Sequence, residues 1–93
     1  MIQLHDHYLV RNGVKIGWIV GNKLYGHDGK EVGYVSGETI YDRLGKKLAY
    51  LQGEYVYNHS DGERMRCEDI IKDIEAGMLP DVMRVAIKFF FGD

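Results

Sequence analysis

Four histidines, one cysteine and two Asp-Gly pairs are the residues of this chain that could do chemistry. His5 and His7 are placed by alternation on one face of a strand, where two imidazoles could begin a metal site. A zinc site needs further ligands at fixed spacing, and neither a cysteine pair nor an HExxH helix supplies them. His27 and His59 fall at equivalent repeat positions, where the other copies carry Arg11 and Arg43. A position that takes arginine as readily as histidine is a solvated cation, not a ligand. Asp28-Gly29 and Asp61-Gly62 raise calcium, but the equivalents of Asp28 are Asn12 and Leu44. A calcium loop needs several oxygen ligands in sequence, so these pairs read as turns. Cys67 could be a nucleophile only with a base held beside it by a third group, and no spacing offers one. It reads as a buried structural thiol. Ser36 and Ser60 are turn residues outside any GxSxG pattern, and the glycines do not open a helix after a strand as a phosphate loop does. The expectation is a protein that is not an enzyme and has no metal and no cofactor.

What remains is aromatic. Trp18, Tyr34 and Tyr50 recur at one spacing, and Tyr25, Tyr41 and Tyr57 at the same spacing. Columns of aromatic rings can stack on a sugar, a base or a peptide, and they are also how a repeat packs its core. These six residues are the candidate ligand- or partner-binding positions.

The elements that would carry them follow from the repeat. Cut at His7, Lys23, Thr39 and Tyr55, the chain reads HYLVRNGVKIGWIVGN, KLYGHDGKEVGYVSGE, TIYDRLGKKLAYLQGE and YVYNHSDGERMRCEDI. An apolar residue recurs at Tyr8, Leu24, Ile40 and Val56. So short a period specifies an array of β-hairpins. Asn12-Gly13, Asp28-Gly29 and Asp61-Gly62 suit type I′ turns, with Leu44-Gly45 in the same place; Gly21-Asn22, Gly37-Glu38 and Gly53-Glu54 suit type II′. Placing residues 21–22, 37–38 and 53–54 in two-residue turns pairs Trp18 with Tyr25, Tyr34 with Tyr41, and Tyr50 with Tyr57. The same register pairs Ile19 with Leu24, Val35 with Ile40, and Leu51 with Val56. A slip by one residue destroys both sets at once.

Alternation puts the aromatics on one face and the aliphatics on the other, with Gly17, Gly33 and Ala49 between the aliphatics. Neither face is polar, so both must be covered. The aliphatic face is expected to close on itself as a small barrel or flower-like ring. The aromatic face is then left for the C-terminal segment, another subunit or a ligand.

After Asp61-Gly62 the repeat fades. Glu68 to Ala76 reads as a helix, with Ile70, Ile71 and Ile74 as its stripe, acidic residues in its first turn and Gly77 as its C-cap. Pro80 suits the first turn of a second helix to about Phe90, though VAIKFFF also reads as a strand. That segment is apolar on more than one side, and Phe89, Phe90 and Phe91 are its expected oligomer or packing contacts. The organisation is a four-repeat hairpin module over 1–64 and a C-terminal helical segment over 65–93.

Composition bounds the rest. With 93 residues and 45% hydrophobic content, the chain can form one small core. A net charge of −2 gives no basic surplus for phosphates, so nucleic acid is not an expected partner. The lone cysteine fits a reducing compartment. The N-terminus has no signal-peptide pattern, and no apolar run spans a bilayer. The expectation is a cytoplasmic protein with no transmembrane segment.

The repeated unit resembles the bacterial four-fold β-flower family, whose units have the form Y-x-x-x-G-K-x-[IVL]-[AG]-[YW]-[IVL]-x-[DNG]-x-x-[IV]-Y. Tyr25, Gly29, Lys30, Val32, Gly33, Tyr34, Val35, Ile40 and Tyr41 fit it. So do Tyr41, Gly45, Lys46, Leu48, Ala49, Tyr50, Leu51, Val56 and Tyr57 in the next unit. The resemblance covers about residues 7–62 and departs in the fourth unit, where Ser60 is inserted and Met65 to Glu68 replace the apolar-Gly-Tyr core. It implies a ring of short hairpins with pseudo-four-fold symmetry, and it carries no catalytic residues. The helical tail lies outside it, so the fold expected is mainly β, a ring or barrel of short antiparallel hairpins followed by one or two C-terminal helices. A PRC-barrel-like sheet is the alternative fold. The function expected is a non-enzymatic interaction or oligomerisation module, a homo-oligomer or another protein's partner. The alternative is a small-ligand binder using the Trp and Tyr columns.

Overall fold

A computed structural model describes residues 1–92. Nine strands follow one another: β1 (Ile2–His5), β2 (Tyr8–Arg11), β3 (Val14–Val20), β4 (Lys23–Gly26), β5 (Glu31–Ser36), β6 (Thr39–Asp42), β7 (Lys47–Gln52), β8 (Tyr55–Asn58) and β9 (Arg64–Arg66). Then come α1 (Cys67–Ile71), β10 (Ile74–Glu75) and α2 (Asp81–Phe91). All strands belong to one ten-stranded sheet in the order β10-β1-β2-β3-β4-β5-β6-β7-β8-β9. The ring is thus open, with β10 and β9 as its edges.

The hairpin register is the one the repeats require. Trp18 faces Tyr25 and Ile19 faces Leu24; Tyr34 faces Tyr41 and Val35 faces Ile40; Tyr50 faces Tyr57 and Leu51 faces Val56. At these turns Gly21, Gly37 and Gly53 have φ of 61°, 59° and 61°, and the residue after each does not, which is the type II′ pattern.

The other set of turns corrects the expectation. Only Asn12-Gly13 has positive φ at both positions, as type I′ demands. Asp28-Gly29 and Leu44-Gly45 instead end three-residue loops. Gly29 N–H donates to the Gly26 carbonyl at 2.9 Å and Gly26 N–H to the Lys30 carbonyl at 2.9 Å. Gly45 and Asp42 repeat the arrangement with Asp42 and Lys46. This is a type I turn closed by a left-handed glycine. The register shifts between Leu24 and Tyr25 and between Ile40 and Tyr41, and the first unit, with its two-residue turn, has the same shift between Leu9 and Val10. Gly29 has φ of 86°, so Gly29→Val is expected to cost at least about 1 kcal/mol through backbone strain, read as a lower denaturation midpoint.

The loops also correct one column. The buried partner of Leu24, Ile40 and Val56 in the first unit is Leu9, which faces Gly17, whereas Tyr8 faces Trp18 on the other side. The first unit turns in two residues where the next two use three, so its side chains fall one position later. In the fourth unit the inserted Ser60 lengthens the loop, and the bulge disappears: Tyr55, Val56 and Tyr57 pair in unbroken register with Arg66, Met65 and Arg64.

The aliphatic face does not close on itself. It wraps α2, whose Val82, Met83, Val85, Ala86 and Ile87 join Leu9, Leu24, Val35, Ile40, Ala49 and Val56 in one core. Pro80 precedes the first turn, Asp81 lies within it and Lys88 in the last, each on the side the helix dipole favours. Val82, Met83, Val85, Ala86 and Ile87 are buried on more than one side of α2 because it lies against β5 and β6 on one side and α1 and β10 on another. That decides helix over strand for this segment.

The first tail helix is shorter than expected. α1 ends at Ile71, and Ile74 enters β10, pairing in parallel with Ile2. A five-residue helix has little stability of its own. The open edge of β1 offers unpaired backbone groups, and Ile2 N–H takes the Asp73 carbonyl at 3.0 Å. Ile74 is buried all the same, and Gly77 turns the chain with φ of 58° instead of capping a helix.

Lys88 ties α2 to this crossing, its Nζ donating to Asp73 Oδ2 at 2.8 Å. That hydrogen bond is the main cause of an Asp73 carboxyl held below its usual range. Both side chains are partly exposed, so the pair contributes less than about 1 kcal/mol. Because the folded pKa is depressed, the contribution is present above the unfolded pKa and is lost as pH falls through the folded one. Asp73→Asn is expected to lower stability at neutral pH, with the difference from wild type shrinking below about pH 4 in denaturation curves.

Candidate functional site

Strand alternation sends the six aromatics to the side of the sheet opposite α2. Each cross-strand pair is stacked: Trp18–Tyr25 with centroids 6.0 Å apart and planes 14° from parallel, Tyr34–Tyr41 at 5.1 Å and 14°, Tyr50–Tyr57 at 5.2 Å and 11°. All six rings are half-buried. Their partial cover comes from the loops. A Cβ built on Gly29 would lie 3.9 Å from the Trp18 ring, and one on Gly45 would lie 3.5 Å from the Tyr34 hydroxyl. Each of these loops therefore leans over the aromatic two strands back, Trp18 of β3 or Tyr34 of β5. A Cβ at those distances would sit in ordinary contact, so it is the positive φ of 86° and 89° that calls for glycine at both positions.

The face extends beyond those six residues. Tyr8 packs edge-on against Trp18 at 6.5 Å, and Lys15 Nζ lies 3.9 Å above the Tyr8 ring. Tyr55 neighbours Tyr57 at 6.5 Å, with the Arg64 guanidinium 4.4 Å above its own ring. Sequence reasoning missed Tyr8 and Tyr55 because they occupy the position of Lys23 and Thr39, which is not aromatic in the middle units. The pairing of Tyr8 with Trp18, Lys23 with Tyr34 and Thr39 with Tyr50 is the signal that would have placed them outside.

The three C-terminal phenylalanines diverge. A Cβ on Gly17 would lie 2.8 Å from the Phe91 ring, and one on Gly33 would meet the Phe90 ring. Arg11 donates to the Phe91 carbonyl, holding the helix end over β2. Phe89 is 43% exposed and borders a cavity of about 300 Å³ between α2, α1 and the β7–β9 strands.

The polar candidates do structural work. Asp28 Oδ1 accepts from Lys30 N–H at 3.0 Å, and Asp61 Oδ1 from Glu63 N–H at 2.9 Å. His27 and His59 lie exposed in the loops, and His5 Nε2 lies 3.4 Å from Gln3 Oε1. Among the described residues, no three His, Cys, Asp or Glu side chains come together as a metal site would require. Cys67 is buried at the start of α1, and burial, followed by the charges of Asp81, Glu38 and Glu68, pushes its thiol pKa up. A thiol held protonated reacts slowly. Cys67 is expected to resist a disulfide reagent at neutral pH in the folded protein and to react at once in denaturant.

Fold and site together define a β-hairpin repeat protein, one sheet of short hairpins curled around a C-terminal helix. Residues 22–65 match the family model described as 4-fold beta flower protein. The matched stretch begins after the first unit, whose turn is a residue shorter, and runs into β9. No curated protein and no solved structure matches the chain. No helix among the described residues is long and apolar enough to cross a membrane.

Proposed function

We propose that this chain is a non-enzymatic interaction module that self-associates through its outer aromatic face. One repeated arrangement supports the reading: three stacked aromatic pairs, half-buried, on the side of the sheet that faces away from α2. Half-buried tyrosines combine apolar area with a hydroxyl at the rim, a composition enriched in protein contact surfaces. Their regular spacing suits a partner with the same spacing, and a second copy supplies one by symmetry. In this reading the hairpin module over 1–64 carries the contact, and the segment over 65–93 supports it from behind.

Sedimentation equilibrium tests it. The wild-type mass is expected to rise with concentration, while Tyr34→Ser/Tyr50→Ser stays folded and monomeric. A wild type that is monomeric at every concentration sinks the proposal. Saturable quenching of Trp18 by an added sugar or nucleobase, without a change in mass, would favour a small-ligand platform on the same rings.

A further inference from the structure

The sheet divides charge between its two sides. On the outer side Lys23 pairs with Tyr34, Lys47 with Tyr41, Arg64 with Tyr57 and Arg66 with Tyr55, so these cations stand among the rings. Lys15 joins them over Tyr8 at 3.9 Å. All of them are exposed. Against them, the outer side of β2 to β9 carries one acid, Glu31, the partner of Tyr25. Nearby acids fall at inner positions instead. Asp42 pairs with Gly33, the Glu54 carbonyl accepts from the buried Cys67, and the Glu63 carbonyl accepts from Asn58, which faces Ala49. The chain as a whole has a net charge of −2, so a basic outer face stands against an acidic remainder. Arg66 is matched by Glu68 at 3.1 Å; among the described residues the other outer cations make no ion pair.

We propose that this outer face docks an extended acidic segment of a partner protein. Each stacked ring turns one face to its cross-strand partner, so the tyrosine pairs offer edges and hydroxyls to what lies outside. The edge is the positive end of the ring quadrupole and the hydroxyl donates, so both suit a carboxylate. A nucleobase needs an open ring face to stack on. The Tyr34–Tyr41 pair is closed from within by its own stacking and flanked across the strands by Lys23 and Lys47. Lys23 on β4 and Lys47 on β7 are three strand spacings apart, about 14 Å, which an extended chain crosses in about four residues. Two copies of this face laid together bring cations near cations, so the acidic segment competes with a second copy and has the opposite salt dependence. The inference rests on the outer face being a contact surface, and it adds the partner that the charge selects.

The test is fluorescence anisotropy of a labelled Glu-Ser repeat peptide, long enough to cross β4 to β9, titrated with the full chain. A Gln-Ser repeat and an oligothymidylate serve as comparisons. The Glu-Ser peptide is expected to bind saturably and the Gln-Ser peptide not to bind. Lys23→Gln/Lys47→Gln should weaken binding roughly threefold to thirtyfold, the scale of two exposed charge pairs, with an unchanged melting curve. Glu31→Gln, which removes the one acid of this face, should tighten it. Added salt should weaken the peptide complex while it strengthens self-association in sedimentation equilibrium. A wild type that binds the peptide but stays monomeric would support the docking and sink only the self-association reading. No saturation with the Glu-Ser peptide, equal binding of Gln-Ser, tighter binding of oligothymidylate, or a Lys23→Gln/Lys47→Gln variant that binds as the wild type does would each overturn the proposal.

Discussion

Replacing Gly33 with valine is expected to cost more than about 3 kcal/mol, and in a domain of this size that is enough to populate the unfolded state. A Cβ at this position would run into both the carbonyl oxygen of Tyr41 and the ring of Phe90. The two obstacles differ in kind. The phenyl ring ends a side chain on α2 and can move; the carbonyl belongs to β6, whose pairing with β5 fixes it. Even Gly33→Ala is therefore expected to be costly, and adding Phe90→Ala should recover only the part due to the ring. Gly37→Ala is the control. Gly37 has φ of 59° but nothing within 4 Å of its would-be Cβ, so only backbone strain of about 1 kcal/mol applies. Urea denaturation of these variants separates the effects. A Gly33→Val protein with the midpoint of Gly37→Ala would show that the inner column is not tightly packed.

This glycine column also marks how far the sequence could be read. The hairpin register was legible because it satisfies two independent demands, aromatic with aromatic and aliphatic with aliphatic, and no other register does. The glycines at 17 and 33 were legible as places of close approach. What approaches them was not, because α2 lies outside the repeat and apolar periodicity does not say which face a helix will cover. Assigning the aliphatic face to itself left the tail for the aromatic face; the structure has α2 on the aliphatic side and the stacked rings outside. Turn geometry was lost for a local reason. Asp-Gly suits both a two-residue type I′ turn and the end of a three-residue bulged loop, and the choice rests on one residue of strand length. That same residue moved the first unit's buried column from Tyr8 to Leu9. Ile74 shows the limit of periodicity from the other side. It continued a helical stripe in sequence, yet the open edge of β1 drew it into a strand. Of the candidate site, the stacked pairs were visible from the repeat. The cavity was not, since it is bounded by Met65, Ile70 and Phe89, three residues from segments where the repeat has faded.

Ending the chain at Gly77 is expected to abolish the folded monomer. The deletion removes Val82, Met83, Val85 and Ile87, each buried to 5% exposure or less, along with Ala86 and the rings over Gly17 and Gly33. At about 1.5–3 kcal/mol for each large apolar side chain, those four alone amount to roughly 6–12 kcal/mol, comparable with the whole stability of an ordinary domain. The loss is not confined to the helix. Leu9, Leu24, Ile40 and Val56 would face water together, the edge strand β10 would lose its contact with α2, and α1, which packs on the other edge strand β9, would lose its own support against α2. An open sheet with one bare apolar face and two free edges associates with itself. The truncated protein should therefore be recovered as aggregate, or as a species without a cooperative melt. The single substitution Ile87→Ala, fully buried on α2, should show the same dependence in milder form, with a loss of about 2–5 kcal/mol. A truncated chain that stays soluble, keeps its mass in light scattering and melts as the full chain does would mean that the hairpins hold together without the helix, and that the inner face finds its cover elsewhere.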